Sequence, residues 1–225
     1  MNIAILLAAG KGERLRANVE KPLVELEGQP LFSYCLDTFE KHSLIDYIVL
    51  VINEELEDIY RSYINEKHYS KVLAIIGGGK TRHQSSKHAV EFLKDFANDN
   101  DLIIIHDADR ILLHPDDLTK TILMAKETGA TSLCKKVTSS YAIIENDHIN
   151  CYVDRDKLIE IETPQIFTFK IFMESLSKAK HKNYSDDASI LVDSNIKVSF
   201  VCSEHPNIKI TNPKDLETCK HLLGR

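Results

Sequence analysis

Apolar runs of strand length alternate with amphipathic segments of helical length along most of the chain. The runs cover residues 3–7, 47–52, 72–76, 102–105 and 131–133, and polar or glycine-bearing residues follow each one. The segments between them predict helices at 30–41, 54–65, 85–97 and 115–128. This alternation predicts an α/β fold, a Rossmann-like three-layer sandwich whose helices cover a mostly parallel sheet. Ligands bind at the carboxyl ends of such strands, so the residues just after each run are candidate site residues.

The pattern changes at residues 138–161, where short alternating pieces flank a polar tip at 145–147. We interpret these residues as a protruding β-hairpin arm. Helices at 169–179, 187–193 and 213–223 and a strand at 197–202 are predicted to follow. Because no repeat or Pro/Gly-rich linker interrupts the chain, residues 1–225 are predicted to form a single domain that carries the arm.

Composition and charge narrow the class of partner. The chain has 225 residues, 43% of them hydrophobic, and a formal net charge of −6, which argues against binding to nucleic acid or to a membrane surface. With no apolar run near ~20 residues and no signal-peptide pattern, we expect a cytoplasmic protein. The cysteines are scattered and never spaced C-x-x-C, so neither disulfides nor a zinc site is predicted. They are Cys35, Cys134, Cys151, Cys202 and Cys219.

Small residues and then cations follow the first apolar run. A backbone without bulky side chains can bring N–H groups close to an anion, and phosphate is the obvious candidate. The small-residue loop is Ala8, Ala9, Gly10, Lys11 and Gly12, and the cations are Lys11, Arg14, Arg16 and Lys21. This density of cations suits a triphosphate better than a lone carboxylate. A glycine-rich turn followed by a solvated loop is the alternative.

Two familiar nucleotide motifs are incomplete here. The dinucleotide fingerprint G-x-G-x-x-G needs a third glycine where this chain has Leu15, which disfavours a nicotinamide enzyme. The sequence Gly79-Lys80-Thr81 ends like a Walker A loop, but Ala74 stands where that loop needs its first glycine. A P-loop kinase or ATPase is therefore only a minor alternative.

Seven motifs in order carry a resemblance that spans nearly the whole chain. They are AAGKGERL, KPLVELEGQPL, GGGKTRHQSS, IIIHDADR, DRDKL with ETPQIF, SDDAS, and NIKITNPKDLE. Together they resemble the cytidylyltransferases that activate polyol phosphates, a family that includes the enzymes for 2-C-methyl-D-erythritol 4-phosphate and ribitol 5-phosphate.

The resemblance implies a reaction between two anions. A phosphomonoester oxygen attacks the α-phosphorus of CTP, pyrophosphate leaves, and a CDP-alcohol forms. Positioning and charge stabilisation by cations and Mg²⁺ supply most of the catalysis of such a transfer. The resemblance also implies a homodimer whose arm reaches across to the partner subunit.

Site residues follow from the resemblance, motif by motif. Arg14, Lys21 and Lys209 are implied as catalytic cations, and Asp107 is implied as the ligand of Mg²⁺. The implied nucleotide-binding residues are Ala8, Ala9, Gly10, Lys11, Gly12, Gly79, Lys80, Ser85, Asp107 and Ala108. The implied acceptor-binding residues are Arg110, Ser140, Arg155, Thr163 and Ser185. His106 is expected to pack or hydrogen-bond rather than to move a proton, because the acceptor phosphate is already ionised.

Several positions depart from the usual spelling of the family. Lys21 precedes Pro22, an order typical of sugar-nucleotide pyrophosphorylases. Asp109 and Ile111 replace alanine and proline, and residues 139–142 replace Asp-Thr-Ile-Lys. Methylerythritol phosphate is the favoured acceptor and ribitol 5-phosphate is close behind. A sugar-1-phosphate nucleotidyltransferase that uses another nucleotide, or an inactive nucleotide-binding homologue, are the alternatives.

Overall fold

A computed structural model describes residues 1–10, 20–180 and 184–224. Its centre is a seven-stranded sheet in the order β11-β7-β10-β6-β1-β4-β5, in which only β10 is antiparallel to its neighbours. These strands are β1 Asn2–Leu7, β4 Tyr47–Ile52, β5 Val72–Gly77, β6 Leu102–Asp107, β7 Ala130–Lys136, β10 Ile159–Thr168 and β11 Ser199–Cys202. Two small ribbons complete the strands: β2 Glu25–Leu26 with β3 Gln29–Pro30, and β8 Tyr141–Glu145 with β9 His148–Val153.

Helices cover both faces of this sheet. They are α1 Leu31–Lys41, α2 Glu57–Lys67, α3 Arg82–Phe92, α4 Pro115–Thr128, α5 Phe169–Lys178, α6 Asp187–Asp193 and α7 Pro213–Leu223. Alternate residues of each strand point to opposite faces. Ala4 and Leu6 of β1 accordingly pack with α1, α2 and α4, whereas Ile3 and Ile5 pack with α3, α5 and α6. The predicted α/β sandwich with a mostly parallel sheet is confirmed.

The strand β10 was not predicted, because its sequence is broken by polar residues. Glu162 and Gln165 lie in this strand but are buried and bonded: Asn207 Nδ2 donates to Glu162, and Gln165 Oε1 accepts from two backbone N–H groups of α6. Polar residues with such internal partners carry no hydrophobic signal. The paired hairpin is also shorter than predicted, since residues 159–161 belong to β10 and pair with β7.

Helix α3 begins at Arg82, three residues before the predicted start. Thr81 caps it by accepting a hydrogen bond from the backbone N–H of Gln84. Helix α2 begins at Glu57, three residues after its predicted start, because Glu54–Leu56 form a 3₁₀ turn. The other helices begin and end within one residue of their predicted bounds, and all five cysteines are free thiols. None of the helices in the described part of the chain is long and apolar enough to cross a membrane.

Candidate active site

A cavity of about 1370 Å³ opens at the carboxyl ends of β1, β5 and β6. Parallel strands end at the same edge of a sheet, and β1 lies between β4 and β6 in the register. The cavity therefore collects residues that are far apart in sequence, as the α/β pattern predicts. Predicted residues that line it are Ala9, Gly10, Lys21, Gly79, Lys80, Ser85, Asp107, Ala108 and Lys209. Lys11, Gly12 and Arg14 lie outside the described residues.

The glycine loop after β5 packs tightly against the end of β1. A Cβ atom on Gly78 would collide with Ala9 and Ser85, and one on Gly79 would collide with Gln84. Ser85 Oγ accepts a hydrogen bond from the N–H of Gly79 at 3.0 Å and donates to the carbonyl of Thr81 at 3.2 Å. The Ser85 hydroxyl therefore fixes the loop, and the loop backbone forms one wall of the cavity.

Asp107 ends β6 and lies between two cations. Its Oδ1 accepts from Arg82 Nε at 2.8 Å, and its Oδ2 accepts from Lys209 Nζ at 2.7 Å. Burial opposes ionisation of this carboxyl group, but the two cations outweigh burial and hold the pKa of Asp107 well below its usual range. Asp107 is therefore a permanent anion at the centre of the site.

Arg82 is a site residue that the sequence analysis missed. Besides Asp107 it contacts Asp187, with Nη1 donating to Asp187 Oδ2 at 2.6 Å. Burial lowers the pKa of Arg82, but Asp187 and Asp107 outweigh it and raise that pKa. Gln165 of β10 holds the start of α6, because its Oε1 accepts from the N–H groups of Asp187 and Ala188 at 2.9 Å each. In the sequence, the motif GGGKTR, which ends at Arg82, was the feature that could have identified this residue.

Lys21 is paired with Asp109. The lysine Nζ donates to Asp109 Oδ2, and the two side chains are only 10% and 16% exposed. Asp109 Oδ1 is enclosed and has no hydrogen-bond partner in the part of the chain that the structure describes. Here and below, the charged cluster means the six side chains of Lys21, Arg82, Asp107, Asp109, Asp187 and Lys209.

His106 lies beneath the cavity and is completely buried. Its Nε2 donates to the carbonyl of Arg110 at 3.2 Å, so Nδ1 is the acceptor for the hydroxyl of Thr163 at 2.9 Å. The same hydroxyl accepts from the N–H of Asp107 at 3.2 Å. Burial lowers the pKa of His106 to about 4, which leaves it neutral near pH 7. His106 is thus a structural residue, and Thr163 directs its proton toward His106.

A second, smaller cavity of about 110 Å³ adjoins the charged cluster. It shares Arg82, Asp107 and Lys209 with the larger one, and adds the predicted residues Arg110, Thr163 and Ser185. Arg82 Nη2 and Arg110 Nε are enclosed, and neither has a hydrogen-bond partner within residues 1–10, 20–180 and 184–224. Buried donors are rarely left unused. Two arginines with unused donors beside Lys209 suit an oxyanion.

Three predicted site residues line neither cavity. Ala8 is buried in the core, where its carbonyl accepts from the Tyr60 hydroxyl at 3.4 Å. Ser140 and Arg155 flank the hairpin and are exposed, and Arg155 Nη1 donates to the carbonyl of Thr138 at 3.4 Å. The single chain does not bring these two side chains to the cavities.

Hard divalent cations prefer carboxylate oxygens, and the cavity offers those of Asp107 and Asp109. Of these oxygens, Asp109 Oδ1 has no hydrogen-bond partner among the described residues. The residues present therefore fit such a cation. A separate group of potential ligands, namely His114, Asp116 and His205, lies at the start of α4 and lines neither cavity.

Comparisons with known proteins agree on one family. The model of the family described as 2-C-methyl-D-erythritol 4-phosphate cytidylyltransferase matches residues 2–225. Proteins of that name from Thermotoga neapolitana and Thermosipho africanus are each 33% identical, covering 98% and 100% of this chain and 96% and 97% of their own lengths. The solved 4-diphosphocytidyl-2C-methyl-D-erythritol synthase of Anaerococcus prevotii has a TM-score of 0.87 at 28% identity, covering 100% of this chain and 96% of that one.

Proposed function

The chain belongs to the 2-C-methyl-D-erythritol 4-phosphate cytidylyltransferase family, and we propose that it transfers CMP from CTP to 2-C-methyl-D-erythritol 4-phosphate. One observation supports the reaction most directly. Arg82, Asp107 and Lys209 line both a large and a small cavity where the two adjoin, and Lys21 lines the large one. Two anionic substrates that must react with each other need such a junction.

The transfer of CMP depends more on neutralising the charges of the phosphates than on moving a proton. An oxygen of the acceptor phosphate bonds to the α-phosphorus of CTP, and the bond from that phosphorus to the bridging oxygen of the β-phosphate breaks, which releases pyrophosphate. The attacking oxygen is already ionised, so no general base is needed. Cations fixed beforehand around the phosphates stabilise the charge that develops. The neutral, enclosed His106 agrees with this division of labour.

We assign the large cavity to CTP and the small one to the acceptor phosphate. The glycine loop with Gly79, Lys80 and Ser85 supplies the wall expected to face cytosine and ribose. Arg110 and Ser185, with the unused donors of Arg82, face the acceptor side. Lys209 lines both cavities, which suits a cation that bridges the two reacting phosphates.

A divalent metal fits this site, and we propose Mg²⁺. Asp107 is the residue that would hold it, with Asp109 two residues away offering a further carboxylate. When bound, the metal would neutralise part of the charge on the triphosphate. The side chains of Lys21 and Lys209 remain the groups that orient the phosphates.

We also propose a homodimer, in which Ser140 and Arg155 serve the partner's acceptor site. The hairpin carries apolar side chains that are largely exposed in one chain. They are Tyr141, Ile143, Ile144, Ile149 and Tyr152. Such a surface is expected to be covered by another subunit.

The test is a screen of pyrophosphate release with CTP, UTP or dTTP against methylerythritol 4-phosphate, ribitol 5-phosphate, glycerol phosphate and sugar 1-phosphates. We expect turnover with CTP and methylerythritol 4-phosphate. A preference for ribitol 5-phosphate would change the acceptor and keep the reaction class. A preference for UTP or dTTP with a sugar 1-phosphate would refute the cytidylyltransferase assignment. Binding of CTP without turnover of any acceptor would indicate an inactive homologue.

A further inference from the structure

The charged cluster carries no net formal charge. Its three cations, Lys21, Arg82 and Lys209, are matched by three carboxylates, and each cation contacts at least one of them. A triphosphate that enters alone meets no excess of positive charge among these six side chains. Within this cluster, a lysine that turns to phosphate leaves its carboxylate without that cation.

Asp109 is the carboxylate best placed to change partners. Asp107 is shared by two cations, and Asp187 is completely buried against Arg82 at the start of α6. Within the described residues, Asp109 contacts a single cation, Lys21, and has one oxygen without a hydrogen-bond partner. Asp109 also lines the large cavity, as a residue that meets a ligand there must do.

The backbones that carry this pair are anchored, so only the side chains need to move. The carbonyl of Asp109 accepts a hydrogen bond from the N–H of Ile210 at 2.9 Å. Lys21 begins a short 3₁₀ helix, Lys21–Leu23, which Pro22 stiffens and whose last N–H groups are bonded to Glu20 and Lys21. Both residues thus stay at the cavity wall when their ion pair opens.

We propose that Asp109 is a partner-exchange residue, which holds Lys21 before CTP binds and then takes up the divalent cation that accompanies CTP. This inference rests on the proposed function. Leaving a buried charge without a partner is strongly unfavourable, so neither Lys21 nor Asp109 can be released alone. An exchange of partners leaves neither charge unpaired, because the triphosphate then pairs with Lys21 and the metal pairs with Asp109.

The proposal makes the binding of CTP and metal strongly interdependent. In the parent protein, CTP alone has to break the ion pair and leave Asp109 uncompensated, whereas CTP with metal does not. The gain in CTP affinity on adding metal measures this coupling. Without the charge of Asp109, Lys21 has no ion pair to break. The affinity for CTP without metal should therefore rise, and the gain in CTP affinity on adding metal should fall.

The experiment is isothermal titration of CTP into the parent protein and Asp109→Asn, in EDTA and in excess Mg²⁺, with no acceptor present. We expect Asp109→Asn to bind CTP about 10-fold more tightly in EDTA, and its gain from Mg²⁺ to be about 10-fold smaller than the parent's. Glu55→Gln is the matched control, because it removes a negative charge from the same cavity lining without touching the pair. Its gain from Mg²⁺ is expected to equal the parent's.

Three outcomes separate the possibilities. Equal gains from Mg²⁺ in the parent protein and Asp109→Asn would overturn the exchange and leave the proposed function standing. An equal reduction in Asp109→Asn and Glu55→Gln would also overturn it, since any nearby negative charge would then act alike. Failure of the folded parent to bind CTP with Mg²⁺ would instead refute the proposed function. If Asp109→Asn does not fold, Asp109→Ala provides the same comparison.

Discussion

The charged cluster and the hairpin arm differ in whether their side chains find partners within one chain. In the cluster, each of the six side chains has a partner of opposite charge within the same chain. In the arm, which covers residues 138–158 once 159–161 are assigned to β10, five large apolar side chains are between 48% and 72% exposed. Polar residues are thus buried with partners, while apolar residues are left in water. A region of the second kind is complete only against another surface.

The hydrogen-bonding of the two regions shows the same difference. Strand β6, which ends at Asp107, is bonded on both edges, to β1 and to β10. Among the described strands, β8 and β9 pair only with each other. An isolated two-stranded ribbon is marginally stable in water. The cluster can therefore be tested by changing its charges, and the arm by changing what its surface can contact.

The largest effect is expected from neutralising the centre of the cluster. Asp107→Asn leaves Arg82 and Lys209 without their shared anion and removes the proposed metal ligand. We expect kcat to fall about 10³-fold, as for other losses of electrostatic stabilisation, in a protein that remains folded. Steady-state pyrophosphate release and circular dichroism measure the two quantities. Asp147→Asn is the matched control, because it makes the same change of side chain at the tip of the arm. It should keep the parent's kcat. Full turnover by Asp107→Asn would remove Asp107 from the mechanism.

The next effect is expected from the arm. Ile144→Asp with Ile149→Asp puts two charges on its apolar surface, and we expect the dimer Kd to rise at least about 100-fold. Sedimentation velocity measures the association. Leu123→Asp on α4 is the control, because that leucine is 50% exposed and lies outside the arm. A monomeric parent protein, or an unchanged dimer in the double variant, would contradict the proposed role of the arm.

Mixing two inactive variants tests whether the arm serves the partner's site. Arg155→Ala is expected to lower turnover about 100-fold by removing a cation from the neighbouring acceptor site. Equal amounts of Arg155→Ala and Asp107→Asn, allowed to exchange subunits, form hybrids in which one site has both residues intact. About a quarter of the sites should then regain activity, by random pairing. Full turnover by Arg155→Ala alone would place Arg155 outside the reaction, and no recovery in confirmed hybrids would place it in its own subunit's site.

The same difference explains what could be predicted from the sequence. Periodicity revealed the strands that are apolar on both faces, and therefore the sheet edge where Asp107 and the glycine loop lie. It did not reveal β10, whose buried Glu162 and Gln165 are stabilised by partners distant in sequence. Hydrophobic patterning carries no information about such partners.

Within the site, motif spacing located single residues but not their pairing. Lys21 and Asp109 are 88 residues apart, so nothing local in the sequence indicates their contact. Arg82 was overlooked for a related reason, because its importance comes from touching Asp107 and Asp187 at once. The sequence shows which residue types are present. The contacts that set their charge states are known only from the fold.

The smallest effect is expected in the pH dependence of stability, which buried His106 changes and the exposed arm does not. Burial, the leading cause, lowers the pKa of His106 to about 4 from an ordinary value of 6.5. Below pH 6.5 the unfolded chain binds a proton that the folded protein refuses, so stability is complete above that pH and is lost as pH falls toward 4. Between pH 7 and pH 5 this histidine should cost about 2 kcal/mol of unfolding free energy. Urea unfolding of the parent protein and His106→Asn at both pH values measures it: the variant should lose about 2 kcal/mol less, since contributions from other buried histidines are common to both proteins. An identical pH dependence would mean that His106 is protonated in the fold, and that the hydrogen bond assigned from Thr163 runs differently.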